Sequence, residues 1–285
     1  MAGRRLVAID GTCLDIADTP LNDEHFGRAG VSKGERAAFP QARVVALIEC
    51  GTHAMFDAEV GPYTTSEVAL AGPLLERLAP GMVALADRGF GGFALWARAA
   101  ATGADLLWRF KDSSTGLRPH LLEDLPDGSW LARIDPPKSQ RATTESLTVR
   151  VIDYAIAGGR GGDVEATYRL FTTILDPDQA TAQDLALAYA QRWEIESVFD
   201  ELKTHQRGAK IVLRSKSPAL VLQEIWGYLC CHYAIRTLMA DAAAAAPGGG
   251  RDPDQVSFVA ALRIARRSIA HQGDFFPSPE SSPQP

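Results

Sequence analysis

Cysteine is scarce in this chain: Cys13, Cys50, Cys230 and Cys231 are the only four in 285 residues, and none forms a CxxC pair. That pattern disfavours a disulfide framework and a zinc site alike, leaving buried free thiols as the expectation. Long apolar runs are missing as well. No stretch approaches the roughly 18 residues that suggest a membrane span, and the start MAGRRLVAIDG enters a strand-like segment without an apolar signal region. A cytoplasmic protein with no membrane partner is expected. Positive charge is in deficit, with 29 Lys and Arg against 35 Asp and Glu for a net charge of −6. A surface that is basic all over is therefore excluded, and any grip on nucleic acid must come from a local patch. What is present is an ordinary globular composition, 46% hydrophobic and 22% charged, sufficient for one large core or two modest ones.

The first hundred residues alternate short β-branched runs with helical stretches. RLVAID reads as a short buried strand, and RVVALIECG and HAMFDAEVG as two more joined by a tight hairpin at Gly51 and Thr52. SEVALAGPLLERLA is helical, MVALAD a strand, GGFALWARAAATG a helix and ADLLWRFK a strand. The order βββαβαβ predicts an α/β fold, a mixed sheet flanked by helices. From about 112 to 180 the pattern becomes strand-rich, with SWLARI, SLTVRVIDYAI and ATYRLFTTIL separated by turn-rich pieces. The glycine cluster GGRGGD at 158–163 reads as a hairpin loop, because no helix follows to make it a phosphate cradle. A long helix is expected over 182–206 and a second, apolar one over 218–246. A linker over 242–253, a short basic amphipathic helix and a Pro/Ser-rich, disordered end complete the chain. The resulting division is 1–111, a strand-rich insertion at 112–180, 181–246, and a tail at 247–285.

The stretch YAQRWEIESVFDELK, residues 189–203, carries the most specific signal. At 100° per residue Tyr189, Arg192, Glu196 and Lys203 share an arc of about 60°, next to the apolar strip of Ile195, Phe199 and Leu202. A solvated face with i,i+4 charge pairs would explain such residues singly. Two further carboxylates change the balance. Asp10 closes the strand LVAI and Asp87 closes MVALA, each ahead of a glycine-containing turn, DGT and DRGFGG. Chemistry in α/β sheets collects at the carboxyl ends of strands, although an aspartate there is also a common cap or turn residue. Asp10, Asp87 and Glu196 together offer hard oxygen ligands suited to two Mg²⁺ or Mn²⁺ ions rather than zinc. Two such ions serve in-line phosphoryl transfer.

These residues resemble the ribonuclease-H-like DDE transposases. More narrowly, the spacing Tyr189, two residues, Arg192, three residues, Glu196, six residues, Lys203 is similar to the Y-R-E-K signature of the bacterial insertion sequence 4 type. The likeness covers about residues 5–240, and the strand-rich stretch is similar to the β-insertion of that branch. It implies a metal-dependent enzyme that cleaves and transfers DNA strands at insertion-sequence ends. Asp10, Asp87 and Glu196 would be both catalytic residues and metal ligands. Arg192 and Lys203 would contact phosphates, Tyr189 would support the site or touch the DNA end, and a homodimer would form on synapsis of two ends. The span KTHQRGAKIVLRSK, with five Lys/Arg and no acid, supplies a local basic patch and adds Arg207 and Lys210 as DNA-binding candidates. His205 is a lesser one.

That branch carries a domain ahead of its first catalytic strand, whereas only Met1 to Arg5 stand there in this sequence; a truncated start, a partner domain encoded elsewhere or a decayed gene is therefore expected. One alternative is a non-catalytic remnant that binds DNA or a full-length partner. VAIDGT also resembles the nucleophile loop of haloacid-dehalogenase-like phosphatases, but Ala8 stands where the nucleophilic aspartate belongs. Trp193 and Trp226 fall at spacings typical of core. Trp108 and Trp130 bracket the start of the insertion, where core packing is the simpler reading and stacking on an extruded base the alternative.

Overall fold

A computed structural model describes residues 3–30, 36–110, 117–157, 164–208, 211–246 and 250–270. Three expectations fall outside those residues: the hairpin at 158–163, the disordered end and the position of Lys210.

Strand β1 (Arg5–Asp15) is followed by a short helix α1 (Pro20–Phe26), then β2 (Gln41–Glu49) and β3 (Met55–Pro62). Helix α2 (Glu67–Leu74), strand β4 (Met82–Ala86), helix α3 (Phe93–Ala100) and strand β5 (Asp105–Phe110) complete the first half. Antiparallel pairing joins β1 to β2 and β2 to β3, while β4 lies parallel to β1 and β5 parallel to β4. The strand order 3-2-1-4-5 with this polarity is the expected ribonuclease-H-like mixed sheet. Sequence patterning missed α1. Its PLNDEHF carries little apolar periodicity and is built on capping instead: the Thr19 side chain accepts from the Asn22 amide, and Pro20 opens the helix.

Strands β6 (Pro119–Asp124), β7 (Trp130–Ile134), β8 (Leu147–Ala157) and β9 (Val164–Thr172) continue the same sheet, because β9 pairs antiparallel with β5. The full order is β3-β2-β1-β4-β5-β9-β8-β7-β6. β6 was not foreseen: as an edge strand with exposed Leu121 and Leu122 it lacks the alternation of a half-buried strand.

Helices cover both faces of the first half. Val7, Ile9, Ala84 and Ala86 pack with α2 and α3 through Leu70, Leu74, Trp96 and Ala99. Their neighbours in the pleat, Ala8, Leu14, Val83 and Leu85, point the other way. That second face is covered by α4 (Ala182–Ala190), α5 (Glu194–Asp200) and α6 (Pro218–Ala244) through Leu185, Tyr189, Ile195, Val198 and Ile225. α4 starts on a capping box made by Thr181 and Asp184. Helix α7 (Phe258–Ala270) packs on α6 through Phe258 and Leu262.

Several local expectations are corrected. β1 does not stop at Asp10 but runs five residues further, because β2 pairs with it as far as Asp15. The long helix over 182–206 is interrupted: a 3-10 turn at Gln191–Trp193 separates α4 from α5, and Glu201–Gln206 widens into a π turn. Cys230 and Cys231 are exposed rather than buried, while Cys50 is buried. Trp193 and Trp226 are 44% and 42% exposed instead of lying in the core. Trp108 is fully buried, edge-on to Trp96 at 5.3 Å. Trp130 is half-buried, with its indole N–H 3.4 Å from Asp153.

Candidate active site

Backbone register brings the two aspartates together. β1 and β4 run parallel with Ile9 opposite Ala86, so Asp10, within β1, and Asp87, just past the end of β4, come close in space, near enough for the Asp87 carboxylate to raise Asp10. Both continue the side of the sheet on which Ala8 and Leu85 lie, the face covered by α4–α6. The Asp10 carboxylate accepts from the Gly11 amide at 2.8 Å and from Arg192 Nη1 at 3.2 Å. Burial nevertheless pushes Asp10 up to about 6, outweighing the Gly11 amide and Arg192, and the Asp87 and Glu67 carboxylates push the same way. Asp87 follows β4 and accepts from the Gly89 amide at 2.7 Å. A β-carbon at Gly89 would lie 2.9 Å from the Asp87 Oδ1, so any larger residue there would displace that carboxylate.

The Tyr-Arg-Glu-Lys helix meets that strand edge at three points. The Tyr189 hydroxyl donates to the Ala86 carbonyl at 3.4 Å, next to Asp87. Arg192 is buried, bonded to Asp10, with its guanidinium 5.2 Å from the Trp193 ring. Lys203 Nζ donates to Thr12 Oγ1 at 3.1 Å, and Thr12 lies two residues beyond Asp10 on the same face of β1. Burial raises the Tyr189 phenol, which stays protonated and serves as a buried support.

Glu196 stands differently. Four residues after Arg192 on the same helical side, it is exposed and makes no ion pair among the described residues. It borders a cavity of about 670 Å³ whose lining includes His53, Glu194, Asp200, Glu201 and Asp254. Among the described residues the tightest set of ligand-type atoms, all within 4.8 Å, is His53, Glu194 and Asp254 rather than the expected trio. Arg207 is turned inward: it is 9% exposed, donates to the Ile211 carbonyl and lies 5.6 Å over the Tyr228 ring. Its guanidinium faces protein, not solvent. His205 lies 3.5 Å from Asp200. A larger apolar cavity of about 1190 Å³ between α6 and α7 is remote from the aspartates.

Sequence reading missed Thr12, Gly89 and Glu67. Thr12 and Gly89 were in view within DGT and DRGFGG, but their roles depend on which side chains fold over them. Ala8, at the position a phosphatase nucleophile would need, is a fully buried methyl in the core.

Asp10 of β1 and Asp87 just past β4, with an arginine-bearing helix closing over them, sit on a sheet whose 3-2-1-4-5 order is ribonuclease-H-like. A family model described as Transposase DDE domain matches residues 1–234. The chain is 28% identical over 267 residues to transposase InsG for insertion sequence element IS4 of Escherichia coli strain K12, which covers 94% of this chain and 59% of that protein. It is 35% identical over 88 residues to putative transposase InsZ of the same strain, 31% of this chain and 29% of that one. Among solved structures, the cryo-EM piggyBac transposase synaptic complex with hairpin DNA is similar over 98% of this chain and 59% of its own, with a TM-score of 0.49 and 10% identity. The chain belongs to the transposase DDE-domain family. It spans about three-fifths of the length of InsG.

Proposed function

We propose that this chain is the catalytic part of a transposase that cleaves DNA strands and transfers them at the ends of an insertion element. The observation that carries the reading is the closeness of Asp10, within β1, to Asp87, just past β4, with Arg192 of the Tyr-Arg-Glu-Lys helix bonded to Asp10.

Asp10, Asp87 and Glu196 are assigned as the ligands of two Mg²⁺ or Mn²⁺ ions. The donor set suits them, being hard carboxylate oxygen only. Burial and the Asp87 and Glu67 carboxylates raise Asp10 while Arg192 lowers it, so a cation bound there would relieve the remaining repulsion. When bound, the ions polarise the attacking water or 3′-hydroxyl and stabilise the leaving oxygen. The chain's own groups bind and orient. Arg192 keeps Asp10 ionised and turned toward Asp87, and can offer its remaining N–H groups to a phosphate. Lys203, held at Thr12, supplies a mobile charge beside the scissile phosphate. Tyr189 fixes the backbone at Ala86 and hence the position of Asp87. Arg207 supports the segment after Lys203 from inside, and Lys210 extends the basic run along the DNA. Substrate DNA comprises the element's ends and its target, two ends are synapsed by a homodimer, and the protein works on the bacterial nucleoid in the cytoplasm.

The test is strand cleavage of a plasmid carrying the inverted repeats that flank the gene, with Mg²⁺, for the wild type and Glu196→Gln. Cleavage by the wild type alone is expected. DNA binding with no cleavage under Mg²⁺ or Mn²⁺ would replace this reading with a non-catalytic remnant.

A further inference from the structure

Behind the helix that carries Arg192, Glu196 and Lys203 lies a buried ionic network that the proposed chemistry does not use. His53, on the turn between β2 and β3, is 4% exposed and holds a left-handed backbone with φ of 57°, an unfavourable conformation for a residue other than glycine. Its Nδ1 lies 2.7 Å from Arg236 Nη2 on α6. Arginine only donates, so Nδ1 accepts and the proton of the neutral ring sits on Nε2. Burial, aided by Arg236, lowers His53 and favours that neutral form. Nε2 faces Glu194 at 3.3 Å and Asp254 at 3.2 Å. A protonated nitrogen is no ligand, so Arg236 argues against a metal among His53, Glu194 and Asp254 despite their closeness.

The same arginine grips Glu201. Its Nε donates to Glu201 Oε2 at 3.0 Å and a second N–H to Oε1, and His232 Nε2 adds a bond to Oε2 at 3.0 Å. Glu201 is the first residue of the π turn that carries Lys203, and Glu194 is the first residue of α5, which carries Glu196. The far end of the π turn is tied down as well: Gln206 donates to the Tyr228 carbonyl at 2.9 Å, and Arg266 of α7 donates to the Gln206 carbonyl at 2.8 Å. A π turn forgoes regular helical bonding and often marks a functional position. Here side chains from β2–β3, α6 and α7 converge on that one helix.

We propose that Glu201, Arg236 and His53 are positioning residues of the strand-cleavage site: their buried network fixes the π turn that aims Lys203 at Thr12 and sets the pitch of the helix bearing Glu196. The proposal rests on the DNA-cleavage reading, so its test includes a readout independent of cleavage. The full chain is prepared as wild type, Glu201→Gln, Lys203→Ala and the double variant. Single-turnover cleavage of a plasmid carrying the element's ends is measured with Mg²⁺, and amide exchange is followed without DNA or metal. Glu201→Gln should slow cleavage about 10- to 100-fold, the scale of a small misplacement of catalytic groups. The double variant should be little slower than Lys203→Ala, because Glu201 acts through Lys203. Losses that multiply independently would overturn the proposal. Where Glu201→Gln strands Arg236 and the protein unfolds, Glu201→Leu with Arg236→Met removes both charges; that variant should fold yet remain slow, and a wild-type rate would overturn the proposal. If the wild type cuts no DNA, the functional reading fails on its own. Exchange then decides: faster exchange confined to 201–207 in Glu201→Gln supports the positioning role, and unchanged exchange or acceleration throughout the chain overturns it.

Discussion

Asp10 and Asp87 are held by a sheet, whereas Glu196 is held by a helix that is broken on both sides. Asp10 lies within β1, and Asp87 stands in the turn just past β4, held by the Gly89 amide, with core packed on both faces of the strands that carry them. Glu196 follows a 3-10 turn and precedes a π turn, is exposed, and keeps its place through Arg192 on one side and the Glu201–Arg236 network on the other. The sheet half of the site is preformed; the helical half depends on side-chain ionic contacts.

The contrast predicts graded consequences. Replacing any of the carboxylates, by Asp10→Asn, Asp87→Asn or Glu196→Gln, should reduce cleavage by at least about three orders of magnitude, the scale on which losing charge stabilisation at the reacting atoms acts. Circular dichroism should show the fold intact, and measurable turnover in Asp87→Asn would break the equivalence of the three. Arg192→Ala comes next. It leaves Asp10 without its cation in a buried setting, so cleavage should fall about 100-fold and stability by about 3 kcal/mol, checked by denaturant titration. Loss of activity with unchanged stability would mean that the Asp10–Arg192 bond does not hold the helix to the sheet.

Asp10 also makes the sheet half pH-dependent. Its folded-state value, about 6, lies above the ordinary 3.8, so the metal-free fold is favoured when Asp10 is protonated. That contribution is complete below pH 3.8 and is lost as pH rises through 6, about 3 kcal/mol in all. The stability of metal-free Asp10→Asn relative to the wild type should therefore decline as pH falls from 6 toward 3.8, on top of the pH-independent cost of leaving Arg192 without its carboxylate. Cleavage by the wild type should fall below pH 6 as protons compete with metal for Asp10. A melting difference that is flat across that window would remove the claim that burial strains this carboxylate.

Smaller effects probe the edges of the comparison. Lys203→Ala should weaken DNA binding and lower its salt slope by about one phosphate contact. Gly89→Ala should push the Asp87 carboxylate aside and slow cleavage about tenfold with little loss of stability, the smallest expected change in rate.

Much of the sheet half was legible in the sequence because it rests on local rules. Alternating β-branched runs marked β1 to β5, and the aspartate and glycine turn at Asp87 marked the end of β4. The extension of β1 past Asp10 was not legible, since Gly11 and Thr12 favour strand only because β2 pairs with them. The helical half was read through a uniform 100° rotation. That approximation grouped Tyr189, Arg192 and Lys203, which do reach the strand edge at Ala86, Asp10 and Thr12. It could not foresee the π turn or the inward turn of Arg207, because both answer to residues far along the chain. His53, Arg236 and Glu201 meet only in three dimensions, and no spacing announces them. Trp193, expected in the core, is 44% exposed, as a 100° rotation would place it, about 160° from Ile195 and away from the apolar strip.

The most direct measurement is Mn²⁺ binding by isothermal titration at pH 7.5 to the wild type, Asp10→Asn, Asp87→Asn and Glu196→Gln, with or without DNA carrying the element's ends. Two ions are expected on the wild type with DNA, with at least one lost from each variant. Equal stoichiometry and affinity in all four proteins would contradict a shared metal centre built from both halves.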